Sequence, residues 1–166
     1  MHVPDSSVER PEDRAVNART NHVIHLRSTN YGTPSGLSPQ QIWSAYQIGA
    51  PVGSALGAGT IAIVDAFDYP TALSDFNTFS KTFGLPTETS ANAQSSNNKV
   101  FQVVYAAGRR PKSNCGWAQE AALDIEWAHA MAPAAKIVLV EAPANSFNSL
   151  FQAVQVANGL AANRVD

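Results

Sequence analysis

Three short apolar runs, separated by stretches of helical period, constrain this chain most. Thr60-Ile-Ala-Ile-Val64, Val100 to Ala106 and Lys136-Ile-Val-Leu-Val-Glu141 are mostly apolar and rich in β-branched residues. Strands that read as continuous apolar runs are covered on both faces, the condition of a parallel sheet between helical layers. Leu73, Phe76, Phe79 and Phe83 recur at helical spacing, with Gly84 placed to cap their helix. Ser38-Pro39 opens another helix, with Ser38 as N-cap, Pro39 at the first helical position and Gln41 completing a capping box. Its expected apolar face is Ile42, Ala45 and Tyr46, and Gly49 ends it. A long helix is expected from about Gly116 to Met131. Ser146 caps a fourth, with Leu150, Val154 and Ala157 inward and Gly159 at its end. Strand and helix alternate, so the fold class is α/β, a parallel sheet flanked by helices. A three-stranded sheet is small and reads as incomplete, with a further strand expected beyond Asn163-Arg-Val-Asp166.

With 45% hydrophobic residues the chain can bury a core. Eleven basic residues against thirteen acidic ones give a net charge of −2, which argues against nucleic acid or an anionic membrane as the main partner. No apolar run approaches the ~18 residues of a membrane helix. The opening Met1-His-Val-Pro-Asp-Ser-Ser-Val-Glu-Arg10 is polar and is no signal peptide. The single cysteine, Cys115, excludes an internal disulfide and a cysteine-rich zinc site, and lacks a nearby base. Residues 1–30 are charged and without period, and read as a polar tail or a propeptide or linker remnant. Their histidines, His2, His22 and His25, lack the company of metal ligands.

The chemistry concentrates in Cys115-Gly-Trp-Ala-Gln-Glu-Ala-Ala-Leu-Asp-Ile-Glu-Trp-Ala-His-Ala-Met131. Glu120 and Asp124 stand four apart, on neighbouring turns of one face, with Cβ atoms roughly 5–6 Å apart. Trp117, Ala121, Asp124, Ala128 and Met131 fall in one stripe with Glu120 at its edge, while Gln119 and Glu126 fall near the opposite side. Two acids on an apolar stripe are costly unless paired or protonated. Close carboxylates share a proton, which raises one pKa and makes an acid/base device. On a solvated face the same spacing is an ordinary pair of surface acids.

The wording around the pair resembles the sedolisins, the serine-carboxyl peptidases. Glu120, Leu123, Asp124, Ala132, Pro133 and the strand Ile137 to Val140 match that family's acid-pair helix and the strand after it. Gly36-Leu-Ser-Pro-Gln-Gln-Ile-Trp-Ser-Ala-Tyr46 is similar to the opening of its catalytic domain, and Ile61-Ala-Ile-Val-Asp-Ala-Phe67 with Leu85-Pro86 to its first strand and helix. The resemblance covers residues 31–166, the N-terminal part of such a domain. It implies a subtilisin-like fold, incomplete here, and endopeptidase chemistry at acidic pH on a peptide or protein substrate. Glu120 would be the general base for a serine, and Asp124 would hold and polarise it, as an aspartate supports histidine in the more familiar triad. A carboxylate base works only at a pH matched to its pKa.

The family's serine lies in a Gly-Thr-Ser motif far downstream. The only Gly-Thr pairs here are Gly32-Thr33 and Gly59-Thr60, and neither precedes a serine. The family's oxyanion aspartate and calcium site belong to later segments too, so no cofactor or metal is expected in this chain. Alone it is expected to be inactive. The resemblance further implies a secreted, extracellular protein, monomeric in its full-length form. The alternative is a non-catalytic remnant or interaction module on the same α/β fold. A third possibility is an unrelated α/β binding protein.

Other residues read more plainly. Asp65, at a strand end, is expected to be a surface or capping acid, because the His-Gly-Thr that a subtilisin aspartate needs is absent. His129 lies off the acid stripe. Gly57-Ala-Gly59 precedes its strand, whereas a phosphate-binding loop must follow one. Arg109, Arg110 and Lys112 read as a solvated basic loop.

Overall fold

The computed structural model describes residues 2–13, 16–22, 36–48 and 59–162, the side chains of 161 and 162 excepted. Gly49, Gly57, His25 and the segment 163–166 lie outside these residues. Three parallel strands, β1 (Gly59–Ala66), β2 (Phe101–Tyr105) and β3 (Ala135–Ala142), form one sheet in the order β1-β3-β2. The helices are α1 (Pro39–Ala45), α2 (Ala72–Phe83), α3 (Cys115–Met131) and α4 (Phe147–Ala162). The expected α/β class therefore holds: a three-stranded parallel sheet flanked by helices.

The central strand explains the layering. All eight residues of β3 are buried, and successive side chains point to opposite faces. Ile137 and Leu139 join Phe76 of α2, Phe101 and Val103 of β2, and Ala121 and Ile125 of α3 in one core. Val138, Val140 and Ala142 join Ala153 of α4 in the other. Helices α2 and α3 thus cover one face and α4 the other.

The expected caps are present. Ser38 accepts from the Gln41 amide and Gln41 answers to the Ser38 amide, while Gly84 takes the left-handed conformation that ends α2. Two helix faces differ from expectation. In α1 the anchor is Trp43, buried with its indole N–H donating to the Ala130 carbonyl at 3.0 Å, while Tyr46 is exposed. In α4, Ala153 is buried with Leu150, Val156, Ala157 and Leu160 around it; Val154 is 42% exposed, and Gly159 lies inside the helix. Apolar residues on more than one side of a helix leave its phase ambiguous, and a neighbouring surface decides it.

The Thr/Ser/Asn-rich stretch after α2 is a loop, organised by Glu88. Its carboxylate accepts from the amides of Ser90, Lys99, Val100 and Phe101. Burial works to raise this group's pKa, but the four amides outweigh it and hold the pKa below the ordinary value.

The N-terminal stretch is no loose tail over its described part. Short 3₁₀ turns at Asp5–Ser7 and Pro11–Asp13 fold it back, with Ser6, Asp13 and Thr20 buried. Asp13 pairs with Arg19. Asn17 bridges Ser146, and the Ala18 amide donates to the Asn145 carbonyl at 2.7 Å. Residues 2–13 and 16–22 therefore lie across the start of α3 and the approach to α4.

Candidate acid site at the end of the sheet

Asn114 opens α3, its side chain accepting from the Trp117 amide at 3.1 Å. The buried face of the helix runs through Gly116, Trp117, Ala121, Ile125 and His129. Glu120 and Asp124 flank that face, each part-buried rather than in open solvent. Burial, then the neighbouring Glu120 charge, push the Asp124 carboxyl above its ordinary range. No direct hydrogen bond joins Glu120 to Asp124 among the described residues; the Glu120 carboxylate has another partner.

That partner is His22. Its Nδ1 stands 2.7 Å from Glu120 Oε2, and its Nε2 stands 3.2 Å from the Gln119 side-chain oxygen. Both ring nitrogens thus face side-chain oxygens of α3. The sequence held no sign of this contact, because 98 residues separate the two groups.

Asp65 corrects a second expectation. It is neither a surface nor a capping acid: only 3% of it is exposed, and its Oδ2 has no hydrogen-bond partner. Strand alternation puts Ile61, Ile63 and Asp65 on the face that α3 covers. Burial drives its pKa up to about 8, followed by the charges of Asp124, Glu120 and Glu141. Asp65 is therefore protonated at neutral pH and stands beside the acid pair. Its strand register matches it with Glu141 of β3, which in turn matches Tyr105 of β2. Glu141 is 1% exposed; its Oε1 accepts from the Tyr69 amide at 3.0 Å and its Oε2 is unpaired. Burial raises its pKa to about 7. A polar row thus runs across the carboxyl ends of the three strands, where open parallel sheets place their ligand crevices.

The backbone next to this row is strained. Phe67 has φ of 68°, a left-handed conformation rare for a bulky side chain and tolerated where the surroundings impose it. Its amide donates to Ala142 at 2.8 Å, and its ring lies 6.4 Å from that of Trp117. Asp68 follows, held by Arg110 at 2.9 Å and Ser113 at 3.2 Å. The basic loop is thus anchored by one of its arginines.

The remaining candidates stay apart. His129 is buried, its Nε2 2.8 Å from the Pro86 carbonyl and its ring against Phe76; burial lowers its pKa, so it sits neutral in the core. Cys115 is a free, exposed thiol. Among the described residues no group of three or more His, Cys, Asp or Glu side chains is arranged to hold a metal, and no helix is long and apolar enough to cross a membrane. No family model, curated protein or solved structure matches the chain.

Proposed function

We propose that this chain carries the base half of an acid endopeptidase site, on the N-terminal part of a sedolisin-like, subtilisin-like catalytic domain. Glu120 acts as general base toward a serine hydroxyl, and Asp124 holds and polarises it. The serine comes from a further segment, since no Gly-Thr-Ser occurs in the 166 residues. The substrate is a peptide or protein, and secretion to an acidic extracellular setting suits the chemistry.

The observation that carries this reading is the third carboxyl. Asp65 lies buried within electrostatic reach of the pair, with an unpaired oxygen and a raised pKa. Burial and the neighbouring acid charges raise both Asp65 and Asp124, so these two carboxyls keep protons that ordinary carboxyls would release. Asp65 keeps the set partly protonated up to neutral pH, and a carboxylate base within it works best where the pH matches its own pKa. A solvated ion-pair face would leave each acid separately hydrated, and Asp65 is not.

The test joins the chain to its downstream sequence and assays peptide hydrolysis near pH 4. Replacing the base, Glu120→Gln, is expected to lower kcat by about 10²–10⁴, the usual worth of general-base catalysis. Full activity in that variant ends the assignment. The contact between His22 and Glu120 favours a second reading, in which Glu120 serves a structural pair on a non-catalytic module. That reading expects no hydrolysis in any longer polypeptide.

A further inference from the structure

We propose that the groove between α2 and α3 is a docking site for a basic polypeptide segment, taking a lysine or arginine side chain between Asp75 and Glu126. Glu126 lies on the side of α3 opposite Asp124, so the site is separate from the acid pair and does not rest on the reading of Glu120 as a base. The groove encloses about 440 Å³, within the range of about 300–1,000 Å³ usual for ligand sites. Its walls are aromatic. Phe79 and Phe83 stand one turn apart on α2, with ring centroids 4.8 Å apart and planes tilted by 58°, and Trp127 faces them from α3. All three are backed by a core of Trp43, Leu85 and Ala130. Helix α1 ties the two walls together: Trp43 donates to the Ala130 carbonyl of α3 at 3.0 Å, and the Gln40 side-chain amide donates to the Phe83 carbonyl of α2 at 3.5 Å. Packing behind the rings therefore sets the width of the groove.

The charges in the groove decide the sign of its occupant. Asp75 and Glu126 are the charged residues that line it, and both are acids. Hydroxyls fix the Asp75 carboxylate: Tyr69 and Thr71 donate to its Oδ2 at 2.8 and 2.6 Å, and Ser74 donates to its Oδ1 at 3.1 Å. Those donors hold its position and leave its charge uncompensated. Among the described residues no arginine, lysine or histidine pairs with either acid. Burial, then the Asp75 charge, raise the Glu126 carboxyl to about 7. A half-buried acid beside another acid is costly until a cation arrives. A cation seated between the two relieves both, its aliphatic stem lies along the aromatic walls, and the ring faces attract its charge. The apolar surface also runs on past the groove. Leu37, at its rim, is 63% exposed, and Leu123, one turn before Trp127, is 45% exposed. A free amine would leave these leucines bare, whereas apolar neighbours of a basic residue in a polypeptide cover them.

NMR titration of the full chain, read at the Trp127 indole N–H, tests this with four probes. They are the peptide acetyl-Ala-Leu-Lys-Leu-Ala-amide, its arginine and norleucine versions, and butylammonium alone. The lysine and arginine peptides are expected to shift the Trp127 signal. The norleucine peptide keeps the stem without the charge and should bind roughly tenfold more weakly, the factor one charge-assisted contact supplies. Glu126→Gln should weaken the lysine peptide by about the same factor and leave the norleucine peptide unchanged. Asp75→Asn carries the same expectation and guards against a local effect of the first variant. Affinity for the lysine peptide should also rise as pH passes about 7, where Glu126 ionises. Asp75 and Tyr69 are the other titratable groups beside the groove, and Glu126→Gln keeps both, so the rise should vanish in that variant. Equal binding of the lysine and norleucine peptides overturns the proposal. So does unchanged lysine-peptide binding in Glu126→Gln, or the absence of any shift at millimolar peptide. Butylammonium binding as tightly as the lysine peptide overturns the polypeptide occupant. None of these readouts needs hydrolysis, so an active Glu120→Gln enzyme would remove the base assignment and leave this site untouched.

Discussion

Asp65 shows how one buried side chain sets a pH response. Its folded pKa of about 8 lies above the ordinary 3.8. Between those values the native state holds a proton that the unfolded chain has released. Stability therefore falls as pH rises through that window, by up to about 1.4 kcal/mol per pH unit, and the cost is absent below it. Asp65→Asn keeps the shape and removes the titration. Urea midpoints at about pH 5 and about pH 8 should drop for the parent chain and change less for the variant. An equal drop in both would place the pH dependence elsewhere. Glu88 has the opposite sign: its depressed pKa means that its capping bonds stabilise at neutral pH and weaken on acidification.

At the scale of elements, α4 and α1 show how phase is decided. Ala153 is buried against Val138, Val140 and Ala142, and Val154, the next residue, faces out. Val154→Ser is expected to change unfolding free energy by less than about 0.5 kcal/mol. Ala153→Leu, which overpacks the same turn, is expected to cost about 1–3 kcal/mol. Denaturant titration of the two variants separates the observed phase from its neighbour, and a reversed order would refute it. Trp43 makes the matching point in α1, where one buried indole with a hydrogen-bonded N–H outweighs three smaller apolar residues.

At the scale of the molecule, the strand order β1-β3-β2 puts the last strand between the first two. Its eight residues are buried and its backbone is bonded on both sides. Amide exchange should therefore be slowest in Ile137 to Val140, faster in β1 and β2, and fastest in the loop of residues 86–98. Faster exchange in β3 than in β1 would contradict the order. The same order assembles the site. It brings Asp65 beside Glu141, from segments 76 residues apart in the pairing Asp65↔Glu141, while α3 carries the acid pair within electrostatic reach of Asp65 and His22 meets Glu120 from the start of the chain.

Periodicity alone determined the α/β class, the three strands to within two residues, the caps at Ser38 and Gly84 and the long helix bearing Glu120 and Asp124, because these depend on neighbours within a few positions. The capping box at Ser38 needs only Gln41, and the acid pair only one helical turn. Tertiary structure decided that Asp65 is buried beside the pair, that Glu141 aligns with it, and that His22 occupies Glu120. Those outcomes depend on strand register and on contacts between segments as much as 98 residues apart, which no local spacing encodes. Burial, and with it every raised carboxyl pKa in the site, belongs to the packed chain.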